Sequence, residues 1–137
     1  MKILLVEDDQ IDAMAFTRAV SVGAPQDRVD VVKGGEEALD FLRDEVENQL
    51  PELVFLDLNL PRMSGFELLK IMRDDQRFTK MVVFVYSSSN HETDVNEAYK
   101  HHVAGYLVKS EFYGDSQVLA DLLRIYRSYV TLQCDVS

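Results

Sequence analysis

The sequence predicts an α/β fold, a parallel sheet with helices on both faces, and three observations predict it. Five short runs rich in Val, Leu and Phe alternate with segments of helical periodicity. The runs are almost continuously apolar, as strands buried on both faces must be. At 137 residues and 47% hydrophobic content, the chain is the size of one domain with a real core. Right-handed crossovers in such a sheet bring every strand's carboxyl end to one side, where ligand crevices form.

Taken in order, residues 3–6 read as the first strand. A helix over 11–20 comes next, with Ile11, Ala15, Ala19 and Phe16, Val20 at helical spacing. Residues 29–32 form the second strand, and 36–43 a helix carrying Ala38, Leu39 and Leu42. An acidic connection over 44–52, closed by Pro51, leads to the third strand at 53–56. The next helix, 66–72, is preceded by Ser64 with Glu67 three positions on, the pattern of a capping box. The fourth strand spans 81–86, a helix 93–102, and the fifth strand 105–108. The last helix runs from Val118 to about Val130, with Asp115 or Ser116 as its cap. No repeat or low-complexity tract interrupts this order.

Composition removes several function classes. Acidic residues outnumber Lys and Arg 24 to 14, for a net charge of −10, and no basic stripe is present for nucleic acid. No apolar run is long enough to span a membrane, and the run at 3–6 is too short for a signal peptide. The single cysteine, Cys134, has no intrachain partner, so a cytoplasmic location is expected. With one cysteine, and His91, His101 and His102 at no ligand spacing, a zinc site is not expected.

The chemistry lies at the carboxyl ends of the strands. Glu7, Asp8 and Asp9 come directly after the first, Asp57 after the third, Ser87, Ser88 and Ser89 after the fourth, and Lys109 after the fifth. Singly, each is ordinary: an Asp ending a strand is usually a turn residue, a Ser triplet a loop, a Lys a solvated charge. Their convergence on one sheet edge favours a functional reading. Several carboxylates together repel, and a buried one needs a counter-charge. A hard divalent cation resolves that conflict, and Mg²⁺ suits carboxylate, carbonyl and water ligands. Lys109 can hold a phosphoryl oxygen and Ser87 can donate to another. Asp57 is then the candidate nucleophile, since carboxylates form aspartyl-phosphate intermediates, with cation and lysine steadying the equatorial oxygens.

Residues 4–8, 56–65, 86–88 and 105–109 together resemble the receiver domain of two-component response regulators, over nearly the whole chain. The resemblance implies a doubly wound, flavodoxin-like sheet of five strands in the order 2-1-3-4-5, with five helices. It implies that Asp57 is the phosphorylated aspartate and that Glu7 and Asp8 are the acidic pair. Asp8 would bind Mg²⁺ directly and Glu7 through water, with Asn59 giving its backbone carbonyl. Ser87 resembles the switch hydroxyl, Lys109 the phosphate-sensing lysine and Tyr106 the switch aromatic that turns inward. Asp9, one position beyond the pair, reads as a helix-start acid favoured by the dipole.

Two features depart from the family pattern. Ser110 stands where the family usually has a proline after the lysine in a cis peptide; before a non-proline residue that geometry costs about 2.5–4 kcal/mol. The acidic segment 44–52 is an insertion. With Lys109, Ser110 and the stretch 89–92, it resembles the small stand-alone regulators paired with bacterial phytochrome histidine kinases.

The residues after Lys109 suffice for one helix and a tail, so a single receiver domain over 1–137 without an output domain is expected, signalling through protein contact to a downstream target. The last helix carries two apolar stripes. Val118, Leu122, Ile125 and Tyr129 form one; Leu119, Leu123, Tyr126 and Val130 form the other. One stripe is enough for packing on a sheet, so the other, with the tail 131–137, is expected to help form a homodimer. Two other readings are weaker. A phosphohydrolase using an Asp nucleophile typically places a second Asp where Asn59 stands, and an amide cannot exchange a proton at neutral pH. An inert module of the same fold would have lost acceptor, metal or lysine positions, and none is missing. No P-loop motif occurs.

Overall fold

The computed structural model describes residues 1–44, 50–113 and 115–132. Five parallel strands, β1 (Lys2–Val6), β2 (Arg28–Val32), β3 (Leu53–Leu56), β4 (Val82–Ser87) and β5 (Gly105–Val108), form one sheet in the order β2-β1-β3-β4-β5. The helices between and after them are α1 (Gln10–Gly23), α2 (Gly35–Asp44), α3 (Gly65–Asp74), α4 (Glu92–Lys100) and α5 (Ser116–Tyr129). The strand order is the one the family resemblance implies.

Alternation along the strands divides the core in two. Leu4, Val6, Val54, Leu56, Val83 and Val85 pack with α2, α3 and α4. Ile3, Leu5, Leu53, Phe55, Phe84 and Tyr86 face the opposite way, toward α1 and α5. There the rings of Phe16 and Phe55 meet edge to face at 4.9 Å, and Phe55 stacks on Phe84 at 5.1 Å. Such aromatic pairs add to what area burial alone contributes. Register fixes the height of the sheet's functional edge: Val6 pairs with both Val32 and Leu56, and Ser87 pairs with Val108. The residues just beyond these positions therefore emerge together.

Several boundaries differ from expectation. α1 starts at Gln10 because Asp9 is its N-cap, accepting from the Asp12 N–H. α4 stops at Lys100, with His101 at its C-cap and His102 beyond it in the left-handed region at φ 58°. β4 includes Ser87. Asp115 rather than Ser116 caps α5, accepting from the Gln117 N–H. Lys109 enters a 3₁₀ turn, Lys109–Glu111, and no described peptide bond is cis, the bond from Lys109 to Ser110 included. Most of the acidic connection (45–49) and the end of the tail (133–137) lie outside the described residues.

The two stripes of α5 separate in the main, although Leu122 of the first packs on the core and Val130 of the second is exposed. Leu119 and Leu123 are in the core, whereas Val118, Ile125 and Tyr129 are exposed. α5 lies close on α1: a Cβ at Gly23 would stand 2.1 Å from that of Ala120.

Candidate functional site

Asp57 leaves the end of β3 with its backbone N–H still bonded to the Val6 carbonyl, so its position is set by the sheet. The turn beyond it is pinned by α3. Gly65 donates to the Leu58 carbonyl at 3.0 Å, and a Cβ there would lie 2.4 Å from the Asp57 carbonyl oxygen. Only glycine allows that approach. Ser64 caps α3 by accepting from the Glu67 N–H, the half of the expected capping box that the structure contains.

Glu7, Asp57, Ser87 and Lys109 are the buried polar residues at this edge. The Lys109 ammonium meets three carboxylates. Its Nζ lies 2.6 Å from Glu7 Oε2, 2.9 Å from Asp12 Oδ2 and 3.2 Å from Asp57 Oδ2. It hydrogen-bonds to Asp12 and Asp57, and its shortest contact is the ion pair with Glu7 Oε2, which has no other polar partner among the described residues. The other Glu7 oxygen accepts from the Asp9 N–H at 3.1 Å, and Asp57 Oδ1 from the Asn59 N–H at 3.1 Å.

These charges shift one another. Burial, reinforced by the Asp57 charge, pushes the Glu7 carboxyl up to about 7 against the pull of Lys109. Burial by itself would lower Lys109, but Glu7, Asp12 and Asp57 outweigh it and hold the ammonium above its ordinary value. One cation is thus opposed by more acid than it neutralises. Glu7, buried, and Asp8, exposed, each offer a carboxylate oxygen with Asp57, all within 4.8 Å of one another. An oxygen-only donor set and an excess of negative charge fit a hard divalent cation.

Ser87 is fully buried at the end of β4, and its Oγ accepts from the Ser89 N–H. Ser89 Oγ donates to Asp94 at 2.6 Å, and its carbonyl accepts from the Tyr106 hydroxyl at 2.9 Å. Tyr106 packs half-buried against the α2–α4 side of the core, and burial raises its phenol above the ordinary value. All four expected strand ends therefore deliver their residues to one edge, with Ser87 and Tyr106 joined through Ser89. The residue missed in the sequence is Asp12. An acid in the first turn of a helix is favoured by the dipole, which disguises it. The signal was its place four positions after Asp8, one turn into a helix that starts at the site.

The sheet order and this edge define a receiver. The response regulator receiver domain model matches residues 3–122, and the chain belongs to that family. Among its relatives, the probable methanogenesis regulatory protein FilR2 of Methanothrix harundinacea is 33% identical over 126 residues, 90% of this chain and 81% of that protein. Response regulator Rcp1 of Synechocystis is 34% identical over 79% of this chain and 76% of its own length. The crystal structure of Mn²⁺-bound Rcp1 superimposes with a TM-score of 0.84 at 30% identity, covering 96% of this chain and 97% of that one. The phosphorylated cyanobacterial phytochrome response regulator RcpA gives 0.86 at 32% identity, with the same coverage. The chain's likeness is thus to phytochrome response regulators of its own size. No helix among the described residues is long and apolar enough to cross a membrane.

Proposed function

We propose that this chain is a stand-alone receiver, one domain over residues 1–137, that takes a phosphoryl group from a sensor histidine kinase onto Asp57. The observation that carries this reading is the Asp57 carboxylate itself. It is 4% exposed, held at the end of β3, and stands between a buried ammonium and two further acids. Burial of that kind is costly without a partner chemistry to justify it.

Asp8, Asp57 and the Asn59 backbone carbonyl would hold Mg²⁺ directly, with Glu7 acting through water; the bound cation would neutralise the acids and steady the transferring oxygens. A carboxylate oxygen of Asp57 attacks phosphorus in line. The O–P bond forms, the P–N bond of the phosphohistidine breaks, and its electron pair stays with the imidazole. Lys109 donates to one phosphoryl oxygen and the Ser87 hydroxyl to another. Movement of Ser87 disturbs Ser89, frees the Tyr106 hydroxyl and lets the ring turn inward. The β4–α4–β5 surface then shifts within a two-state equilibrium. The chain catalyses its own phosphorylation and slow hydrolysis, and is not a turnover enzyme.

Similarity to RcpA, a phytochrome response regulator, supports a kinase of phytochrome type. Output is contact with a downstream protein, in the cytoplasm, without nucleic acid or membrane. The exposed Val118, Ile125 and Tyr129 of α5 support a homodimer, in which the tail 131–137 would take part.

Intact mass after incubation with acetyl phosphate tests the reading. The parent chain should gain one Mg²⁺-dependent, hydroxylamine-labile phosphoryl group, and Asp57→Ala none. A persistent single adduct on Asp57→Ala would refute the acceptor. Light scattering on the same samples tests the dimer, which a monomeric mass with and without phosphorylation would exclude.

A further inference from the structure

Lys109 meets three carboxylates in this structure, and the longest of the three contacts is the one to the acceptor. Asp12 Oδ2 lies 2.9 Å from the ammonium and Asp57 Oδ2 3.2 Å. Asp12 is outside the set of three acids suited to a metal. Its carboxylate is largely shielded, and its backbone N–H is fixed by the Asp9 cap, so it is a rigid anchor on α1.

We infer that Asp12 is a positioning residue that draws the Lys109 ammonium toward α1, keeps its bond to Asp57 long and so leaves the acceptor the more nucleophilic. An ammonium has three protons to give. With Asp12 present, one is committed to the α1 side. Without it, the ammonium is left to Glu7 and Asp57 alone. It then closes on the Asp57 carboxylate, shortening the existing bond to Oδ2 and damping its nucleophilicity. When the phosphoryl group arrives, Asp12 keeps one ammonium proton while the share held by Asp57 passes to a phosphoryl oxygen. This rests on Asp57 being the acceptor.

The experiment compares the parent, Asp12→Ala and Asp12→Asn in two ways. The first is the rate of phosphorylation by acetyl phosphate at saturating Mg²⁺. The second is the NMR signal of the ¹⁵N-labelled Lys109 ammonium in metal-free, unphosphorylated protein. Asp12→Ala should phosphorylate roughly ten-fold more slowly, since small misplacements at a reacting centre have effects of that order or larger. Its ammonium signal should shift. Asp12→Asn, which keeps an acceptor oxygen without the charge, should fall between. A parent-like rate in Asp12→Ala, or an unmoved ammonium signal, would overturn the inference. So would equal slowing in both variants that tracks a loss of thermal stability. Failure of the parent itself to take up a phosphoryl group would instead strike the acceptor reading, and the ammonium signal would still report on Asp12.

Discussion

Two shielded cations occupy opposite regions of this molecule, and their surroundings differ in kind. Lys109 stands at the functional edge among Glu7, Asp12 and Asp57. Arg73, in the last turn of α3, stands among backbone carbonyls. It donates to His101 at 2.8 Å, Thr79 at 2.9 Å, Met81 at 2.8 Å and His102 at 2.9 Å. Among the described residues no carboxylate pairs with it. Burial lowers the Arg73 pKa, whereas the acids hold that of Lys109 up. Neutral dipoles accept four of the five Arg73 N–H groups, and its planar fork spans several of them at once. Around Lys109 the charges do not balance. A balanced cation fixes structure; an unbalanced cluster invites a cation or a phosphoryl group. Burial and hydrogen bonding alone would not separate the two sites.

The largest expected effect is at Lys109. Lys109→Met should slow phosphorylation by acetyl phosphate about a hundredfold, the usual scale for removing one donor aimed at developing charge. Stopped-flow or mass-based rates measure it. A parent-like rate would erase the distinction between the two cations.

Arg73→Met should do the reverse. Four carbonyls at the ends of α4 and β4 lose their donor, so the chain should lose about 2–4 kcal/mol in urea melts. Its phosphorylation rate should change by less than about three-fold, because Arg73 touches no group of the site. Arg73→Lys should recover only part of the loss, since one ammonium cannot span four carbonyls in fixed directions. A large rate defect in a well-folded Arg73 variant would show that the α3–α4 tie is coupled to the site.

The same contrast explains what the sequence made legible. The alternation of strands and helices could be read from apolar runs and helical spacing, and the strand order from the family resemblance. Asp57 and Lys109 stood out because charge ending a buried strand is physically conspicuous. Asp12 and Arg73 did not. Each lies within one turn of a helix end, at the end where its charge suits the dipole, so local physics already accounts for it. Their roles depend on what packs against them: Lys109 from β5 for Asp12, and the chain leaving α4 for Arg73. The α5 stripes were legible as a pair, but which one faced the core depended on how α5 docks on α1. That in turn depends on the close approach of Gly23 and Ala120, for which a single chain carries no local sign.

The smallest effect, and the finest test of charge imbalance, is in pH. Glu7 rises from 4.5 to about 7 in the folded chain, first through burial and then through repulsion by Asp57. Between those values the folded state holds a proton that the unfolded state has released. The contribution of Glu7 to the stability of the metal-free protein therefore falls as pH rises through that window, and is fully present only below the unfolded value. Urea melts in chelator, from about pH 4.5 to about pH 7.5, should show the midpoint declining, and Glu7→Gln, which cannot lose a proton, should flatten that decline. Added Mg²⁺ should offset the loss most at the upper end, where the acids are ionised and bind best. The Arg73 cluster contributes only backbone carbonyls, which do not titrate, so Arg73→Met should lower the whole curve without changing its slope. A parent midpoint that is level or rising across the window would mean that Lys109 already balances its acids, and the contrast between the two cations would fail at its root.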